Sequence, residues 1–224
     1  MKITFSSFIV LLFVAGMFSC KKDNFNYPKG TVAGSKIIYF PTIAIKEDKF
    51  VAVTQGAGYA DSGATAILNG TPVTYTTSMT IDANTAPGVY RINYTAVNAE
   101  GYSASDARVV VVVPTAVAAD PVVAANDFSG TYLRAATGVT STWTKIANGV
   151  YTVENPGGSS GVGLRVIVTN YSGTSIDMPS QDSPDFGGTV SSTGATYNTT
   201  PPATYSWVFN APGYGTSTRT FVKQ

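Results

Sequence analysis

Apolar and polar residues alternate with a period of two along much of the chain from residue 37 onward, and turn-forming residues interrupt the alternation roughly every 8 to 12 positions. In the segment 88–98 the alternation puts Tyr90, Ile92 and Tyr94 on one side and polar residues such as Arg91 on the other. Because residues two apart on a strand share a face of the sheet, the tyrosines and the isoleucine are predicted to face a core. Short strands at this spacing are typical of a β-sandwich.

The segment from Arg108 to Val113 breaks the alternation, because its arginine is followed by five consecutive valines. An uninterrupted apolar run predicts a strand that is covered on both faces, or one that closes the sandwich beside its neighbour.

The second half of the chain repeats the strand pattern. From Phe128 onward, about eight strand-like segments are joined by short turns, which favours an antiparallel meander curled into a barrel or a two-layer sandwich. Residues 114–127 contain Ala and Pro and are typical of a connection between domains. The sequence therefore predicts an all-β protein with a sandwich at residues 36–114, a linker at 115–126 and a second antiparallel β-domain at 127–224.

The N-terminal residues have the composition of a secretion signal. Met1 and Lys2 give a positive start, and residues 8–16 give an apolar core about nine residues long, far short of the roughly 20 needed to span a bilayer. We therefore predict that residues 1–19 are a signal peptide.

The single cysteine, Cys20, follows this apolar segment directly after Ser19. The arrangement resembles the lipobox of bacterial lipoproteins, and the resemblance implies that Cys20 is acylated and becomes the mature N-terminus. A plain signal peptide with an incidental cysteine is the alternative. Residues 20–35 are poor in apolar residues and are predicted to form a flexible tether. The only membrane contact expected is this lipid anchor.

The charged residues after the cysteine, Lys21, Lys22 and Asp23, are similar to those of Bacteroidota surface lipoproteins. That resemblance implies an outer-membrane location facing the cell exterior.

Three short motifs follow one another in the first β-region: Tyr59-x-Asp61-x-Gly63, then Pro87-Gly88-x-Tyr90, then the Arg-Val-Val start of the valine run. Together they resemble the bacterial Ig-like domains related to hyalin repeats. The resemblance implies an Ig-like sandwich that acts as a spacer or adhesion unit without chemistry of its own.

The layout of hairpins and aromatic residues from residue 130 to the end resembles a second family of domains. It is similar to the C-terminal β-domain that follows an Ig-like domain in Bacteroidota lipoproteins of polysaccharide-utilisation clusters.

The net charge of the chain argues against a nucleic-acid partner. Charged residues make up 12% of the chain, and the predicted leader removes one of the 14 basic residues and none of the 13 acidic ones, so the mature chain is formally neutral. A neutral protein has no general attraction for nucleic acid or anionic lipid, and no nucleic-acid partner is expected.

The residue inventory also limits catalysis. The chain has no histidine, and its one cysteine is the predicted lipid site, so Ser-His, Cys-His and zinc-histidine centres are not available. The glycine-rich segment 155–163 lacks the Gly-Lys-Ser/Thr of a P-loop. We predict a non-enzymatic protein with no catalytic residues, no metal and no cofactor.

Carboxylate chemistry is the one catalytic alternative that the inventory leaves. Asp182 and Asp185 are candidates for a glycosidase pair, although Asp beside Ser, Pro and Gly is more typical of a turn. A carboxylate hydrolase is therefore ranked last.

Binding through aromatic rings is the class of function that remains. The register of each strand predicts which rings face the core and which are exposed. Tyr205, Trp207 and Phe209 fall on one face of a strand, which predicts that Trp207 is in the core. Tyr171, Tyr197 and Tyr214 lie near turns and are candidates for the rim of a site.

Unlike Trp207, Trp143 is predicted to be exposed if Asn148 and Gly149 form a two-residue type I′ hairpin turn. Trp143 then shares the polar face with Lys145 and Glu154, which predicts a sugar platform with polar neighbours. Packing of Trp143 under the 155–163 loop is the alternative.

From these observations we predict a surface lipoprotein that binds a polysaccharide or oligosaccharide through its C-terminal β-domain. The alternative is a structural or protein-interaction subunit of an outer-membrane complex, with an outer-membrane protein as the partner.

Overall fold

The computed structural model describes residues 28–32, 35–160 and 164–224. The predicted signal peptide (1–19) and the predicted lipid site Cys20 lie outside these residues. The chain divides into a unit that ends at Tyr39 and a second unit from Phe40 to Gln224. Within the first unit, β1 (Thr31–Val32) and β2 (Ser35–Lys36) pair antiparallel. The described residues contain no helix that is long and apolar enough to cross a membrane.

The second unit begins with a β-sandwich, in which β4 and β9 pair parallel and the other pairs are antiparallel. One sheet has the order β3-β5-β6 and the other the order β4-β9-β8-β7. Its strands are β3 (Pro41–Ile45), β4 (Phe50–Thr54), β5 (Ala64–Leu68), β6 (Thr71–Pro72), β7 (Thr76–Thr77), β8 (Gly88–Val97) and β9 (Ser103–Val113). Ile92 and Tyr94 are buried with Val110 and Val112, which confirms the predicted core face of β8.

Residues that carry the Ig-like resemblance form a partly buried polar network in this sandwich. The Asp61 carboxylate accepts hydrogen bonds from the Gly63 backbone N–H at 3.0 Å, from the Tyr94 hydroxyl at 2.7 Å and from the guanidinium of Arg108. Arg108 is fully buried, and its Nε donates to the Asp48 carbonyl at 3.0 Å. Burial, together with the bond to Asp61, raises the pKa of Tyr94 above its ordinary range. The motif therefore has a structural role in the sandwich.

The described residues after 114, namely 115–160 and 164–224, form two short helices and nine strands. The helices are α1 (Thr115–Ala118) and α2 (Pro121–Ala125). The strands are β10 (Gly130–Arg134), β11 (Val139–Ala147), β12 (Val150–Glu154), β13 (Arg165–Ser172), β14 (Ser175–Asp177), β15 (Gln181–Ser183), β16 (Gly188–Asn198), β17 (Thr204–Asn210) and β18 (Thr218–Lys223), with a 3₁₀ turn at Pro184–Phe186 before β16. Sequential antiparallel pairing gives the order β14-β13-β12-β11-β10-β18-β17-β16-β15. The all-β class and the antiparallel meander are confirmed.

This C-terminal sheet curls until its two ends are bonded to each other. The Gln181 side chain on β15 accepts from the Ile167 N–H and donates to the Ile167 carbonyl on β13, both at 2.8 Å. Met178, just after β14, exchanges hydrogen bonds of 3.0 and 3.1 Å with Ser192 on β16. The curl encloses a core dominated by aromatic rings, namely Phe128, Tyr132, Trp143, Tyr151, Tyr205, Trp207, Phe209 and Phe221. Trp207 is buried, as the register predicts.

The valine run of β9 joins the sandwich to the C-terminal sheet. Val110 and Val112 belong to the sandwich core, whereas Val109, Val111 and Val113 pack in a second cluster with Ile167 and other residues of the C-terminal sheet. β9 is therefore covered on both faces, which confirms the prediction from the unbroken apolar run. The shared cluster explains why residues 40–224 form one compact unit.

Candidate functional site

The structure contradicts the prediction that Trp143 is an exposed sugar platform. Ala147 pairs with Val150 as predicted, but a bulge at Ile146 shifts the register so that Trp143 pairs with Val153 instead of Glu154. A shift of one residue moves every preceding side chain to the opposite face. Trp143 is consequently only 1% exposed and lies in the aromatic core. The prediction for Trp143 is wrong.

The turn itself explains the bulge. A type I′ turn needs positive φ at both loop residues, but of Asn148 and Gly149 only Gly149 has it, with φ of 69°. A left-handed glycine next to an extra strand residue is typical of a bulged hairpin.

The other two predicted binding residues do not join Trp143 in a site. Lys145 donates from Nζ to the carbonyls of Ala124, at 2.9 Å, and Asn126, and thereby holds the end of α2. Glu154 lies at the surface with a carboxylate oxygen 3.9 Å from Arg165. The structure separates the three residues and gives Lys145 a structural role.

Aromatic rings of the C-terminal sheet are not available as open platforms. Among the described residues from 127 to 224, no Trp, Tyr or Phe is exposed, and the three tyrosines near turns are half-buried. Tyr197 shares a hydrogen bond of 2.8 Å with the buried Tyr132 hydroxyl, and Tyr214 packs edge-to-face on Phe209. A site on this sheet must therefore rely on polar groups.

A cleft of about 460 Å³ lies where the sandwich meets the C-terminal sheet, and charged residues from both sides line it. These are Lys49, Arg91 and Asp106 from the sandwich, and Arg165, Asp182 and Asp185 from the C-terminal sheet. We call this the junction cleft. The strand geometry positions each group, because Arg91 and Asp106 lie on β8 and β9, Arg165 begins β13, and Asp182 lies on β15.

Two ion pairs join four of the six charged groups of the junction cleft. Lys49 Nζ is 2.8 Å from Asp106 Oδ1, and Arg91 Nε reaches across the junction to within 3.8 Å of Asp182 Oδ2. Partial burial works against ionisation of Asp106, but the hydrogen bonds from Lys49 and the Ala107 N–H outweigh it and lower the pKa of Asp106. Asp106 therefore stays ionised and accepts hydrogen bonds. The cleft carries three cations and three carboxylates, so its lining is formally neutral.

A wider groove of about 810 Å³ extends the junction cleft along β4. It shares Lys49, Phe50 and Arg165 with the cleft and continues to Thr144 and Thr152 of the C-terminal sheet. Phe50 is half-buried on the shared wall and adds an apolar surface. The shared residues place the two cavities side by side.

The candidate carboxylate pair also lies in the junction cleft. Asp182 forms part of β15 and pairs with Thr189, and Asp185 belongs to the 3₁₀ turn that leads into β16. Across the part of the chain that the structure describes, no group of three or more His, Cys, Asp or Glu residues is placed to hold a metal ion.

Sequence reasoning did not identify the junction cleft. Lys49 and Arg165 are far apart in the chain, and neither belongs to a recognisable motif. The one available signal was the unbroken valine run of β9, which indicated that something covers its second face.

Comparison with known proteins supports the first half of this architecture. Residues 43–112 match the family model described as a bacterial surface protein, Ig-like domain. This segment is therefore similar to the Ig-like domains of bacterial surface proteins. The match confirms the Ig-like part of the resemblance seen in the motifs of residues 59–113.

Curated proteins and solved structures provide two further comparisons. No curated protein matches the chain. Among solved structures, the crystal structure of the lipoprotein BT2262 from Bacteroides thetaiotaomicron matches with 20% identity, covers 83% of this chain and 100% of that chain, and has a TM-score of 0.41. A likeness at this level carries no argument about function.

Proposed function

We propose that the protein is a non-enzymatic, lipid-anchored protein of the outer-membrane surface that captures glycan in the junction cleft. The observation that carries the proposal is the convergence of six charged side chains from both halves of residues 40–224 on one cleft. The surface location is supported by the Ig-like match of residues 43–112, and the anchor by the lipobox resemblance at Cys20. Its role would be the capture of polysaccharide for utilisation.

The chemistry of the cleft suits a hydroxyl-rich ligand. Arg91, Arg165 and Lys49 donate hydrogen bonds, and Asp182 and Asp185 accept them, so both roles of a sugar hydroxyl are served. Because the opposing charges are equal in number, the site favours a neutral glycan over a strongly charged one. The groove along β4 provides room for further sugar units.

The charge arrangement also favours binding over catalysis. A general acid needs a carboxyl group whose pKa is raised toward neutrality. In the junction cleft the pKa of Asp106 is lowered, which stabilises its carboxylate as a hydrogen-bond acceptor.

Affinity electrophoresis in gels that contain polysaccharide tests the proposal. Arg165→Ala and Asp185→Ala remove exposed groups of the cleft, so both variants should fold and lose most of their retention. Lys46→Ala removes an exposed cation that does not line the cleft and should leave retention unchanged. Folded cleft variants that are retained as strongly as the native chain would contradict the proposal.

A second candidate function, protein interaction within an outer-membrane complex, is favoured by one feature of the Ig-like domain. Phe40 and Tyr102 are 60% and 45% exposed, and their rings meet edge-to-face with centroids 4.9 Å apart. The Asn98 side chain fixes the turn that presents Tyr102 by accepting its N–H at 2.8 Å. Exposed aromatic pairs on a fixed turn are typical of interface anchors.

Photocrosslinking in cells separates the two functions. A crosslinker at position 102 should give a discrete protein adduct if this pair is an interface, whereas a crosslinker at position 165 should give glycan adducts if the junction cleft binds sugar.

A further inference from the structure

Two arginines point into the same end of the curled C-terminal sheet. Arg134 ends β10, and Arg219 lies on β18, the strand that pairs with β10. Arg219 lies on the same face of β18 as Phe221, a core residue two positions later, and is only 7% exposed. Arg134 is half-buried. The Nε atoms of both arginines are buried and have no hydrogen-bond partner.

Neither arginine has an acidic partner. Within the described ranges, no carboxylate lies at ion-pair distance from either guanidinium. Their hydrogen bonds go to backbone carbonyls instead, and those from Arg134 to Gly157 and Gly158 are long, at 3.4 and 3.3 Å. Burial and the nearby charge of Arg134 lower the pKa of Arg219 below its ordinary value. Two adjacent like charges, one buried and one half-buried, are costly without a counter-charge.

The surrounding backbone holds the two guanidinium groups in place. Gly158 leaves no room for a side chain, since an added Cβ would lie 2.7 Å from both Arg134 Cδ and the Phe221 ring, and one on Gly157 would overlap the ring of Tyr214. The Arg219 guanidinium lies 5.4 Å from the centre of that tyrosine ring, and the Tyr214 hydroxyl accepts from Ser159 Oγ at 3.1 Å. This end of the sheet thus presents two neighbouring guanidinium groups, and we call it the cationic pocket.

We infer that Arg134 and Arg219 form a binding site for a small oxyanion, namely a carboxylate or a sulfate group. Each guanidinium has an unused Nε–H, and guanidinium groups bind carboxylate and tetrahedral oxyanions through paired N–H donors. Arg134 and Tyr214 are half-buried, so the outer edge of the pocket meets solvent. The hydrogen bonds of Arg134 to Gly157 and Gly158 are longer than usual, so they only weakly occupy the N–H groups of its guanidinium.

The inference does not depend on the junction cleft, which is lined by different residues. An oxyanion in this pocket would neutralise the paired charges that the protein itself leaves uncompensated.

The test uses the full mature chain, titrated with sodium sulfate at constant ionic strength. Sodium chloride serves as the control salt. A parallel titration with sodium glucuronate tests a carboxylate in place of sulfate. Two arginine Nε–H signals in ¹⁵N-resolved NMR spectra should shift and saturate with sulfate. At ten times the Kd, bound sulfate should raise Tm by about 3 to 6 °C. Arg219→Gln and Arg134→Gln should each abolish the sulfate-specific rise, and Lys46→Gln, which removes an exposed cation outside both sites, should keep it.

Three results would overturn the inference: the absence of a saturable shift of any arginine Nε–H signal, an equal Tm rise in sulfate and chloride, or a rise that both glutamine variants retain. If Arg219→Gln does not fold, the NMR titration of the native chain and the Arg134→Gln variant still decide the matter.

Discussion

Replacement of Ile167 by alanine should weaken the whole of residues 40–224, and not the C-terminal sheet alone. Ile167 is fully buried on β13, but it faces away from the aromatic core and packs with Val109 and Val111 of β9. Its neighbours in the chain, Val166 and Val168, belong instead to the aromatic core. Ile167 is therefore a direct test of the cluster that joins the two halves.

The expected cost follows from the burial of this side chain. Ile→Ala removes three carbon atoms, worth about 0.8 kcal/mol each in transfer free energy, and the residual cavity brings the total loss in unfolding free energy to about 2–5 kcal/mol. For a chain of this size the loss corresponds to a fall in Tm of roughly 5 to 15 °C.

Two probes report on the two halves during thermal unfolding. Both tryptophans, Trp143 and Trp207, lie in the C-terminal core, so their fluorescence follows that half. Hydrogen exchange of β8 follows the Ig-like domain. In Ile167→Ala both probes should lose stability together, whereas Ile67→Ala, at a position 37% exposed on β5, should cost less than about 1 kcal/mol. A loss confined to the fluorescence signal would refute the joint unit.

Three further predictions concern the two cores and a half-buried tyrosine. Arg108→Met should lower the unfolding free energy in urea titrations by about 1.5–3 kcal/mol, because it removes the buried guanidinium that bonds Asp61 and the Asp48 carbonyl, and an unchanged midpoint would contradict the network. Trp143→Ala should cost about 3–5 kcal/mol as a core truncation, and a variant of native stability would restore the exposed platform. Burial raises the pKa of Tyr171 to about 12, so its stabilising contribution is complete below pH 10 and is lost as the pH rises through 12. Tyr171→Phe should therefore lose less stability than the native chain between pH 9 and 11.5, and equal losses would show that Tyr171 is not responsible.

The sequence predicted those parts of the fold that depend on local periodicity. The alternation in β8 identified Ile92 and Tyr94 as core residues, and the unbroken run of β9 indicated a strand covered on both faces. The face of Trp143 could not be predicted in the same way, because it depends on a single-residue bulge at Ile146. Ile146 packs in the cluster between the two halves, so a contact with a distant strand favours the bulged register.

The junction cleft could not be predicted from the sequence for a related reason. The junction cleft forms only when β4, β8 and β9 of the sandwich dock against β13 and β15. Its charged residues are scattered among polar strand positions and turns, where surface charges are ordinary. Their convergence is a property of the docked halves and leaves no spacing signal in the chain.

A glycan array probed with the chain from Lys21 onward tests most directly whether the junction cleft holds glycan. The native chain should bind one class of neutral polysaccharide, and Arg165→Ala should lose that signal while Lys46→Ala keeps it. The absence of binding across plant, host and microbial polysaccharides, or equal binding by the native chain and Arg165→Ala, would contradict glycan capture at this cleft.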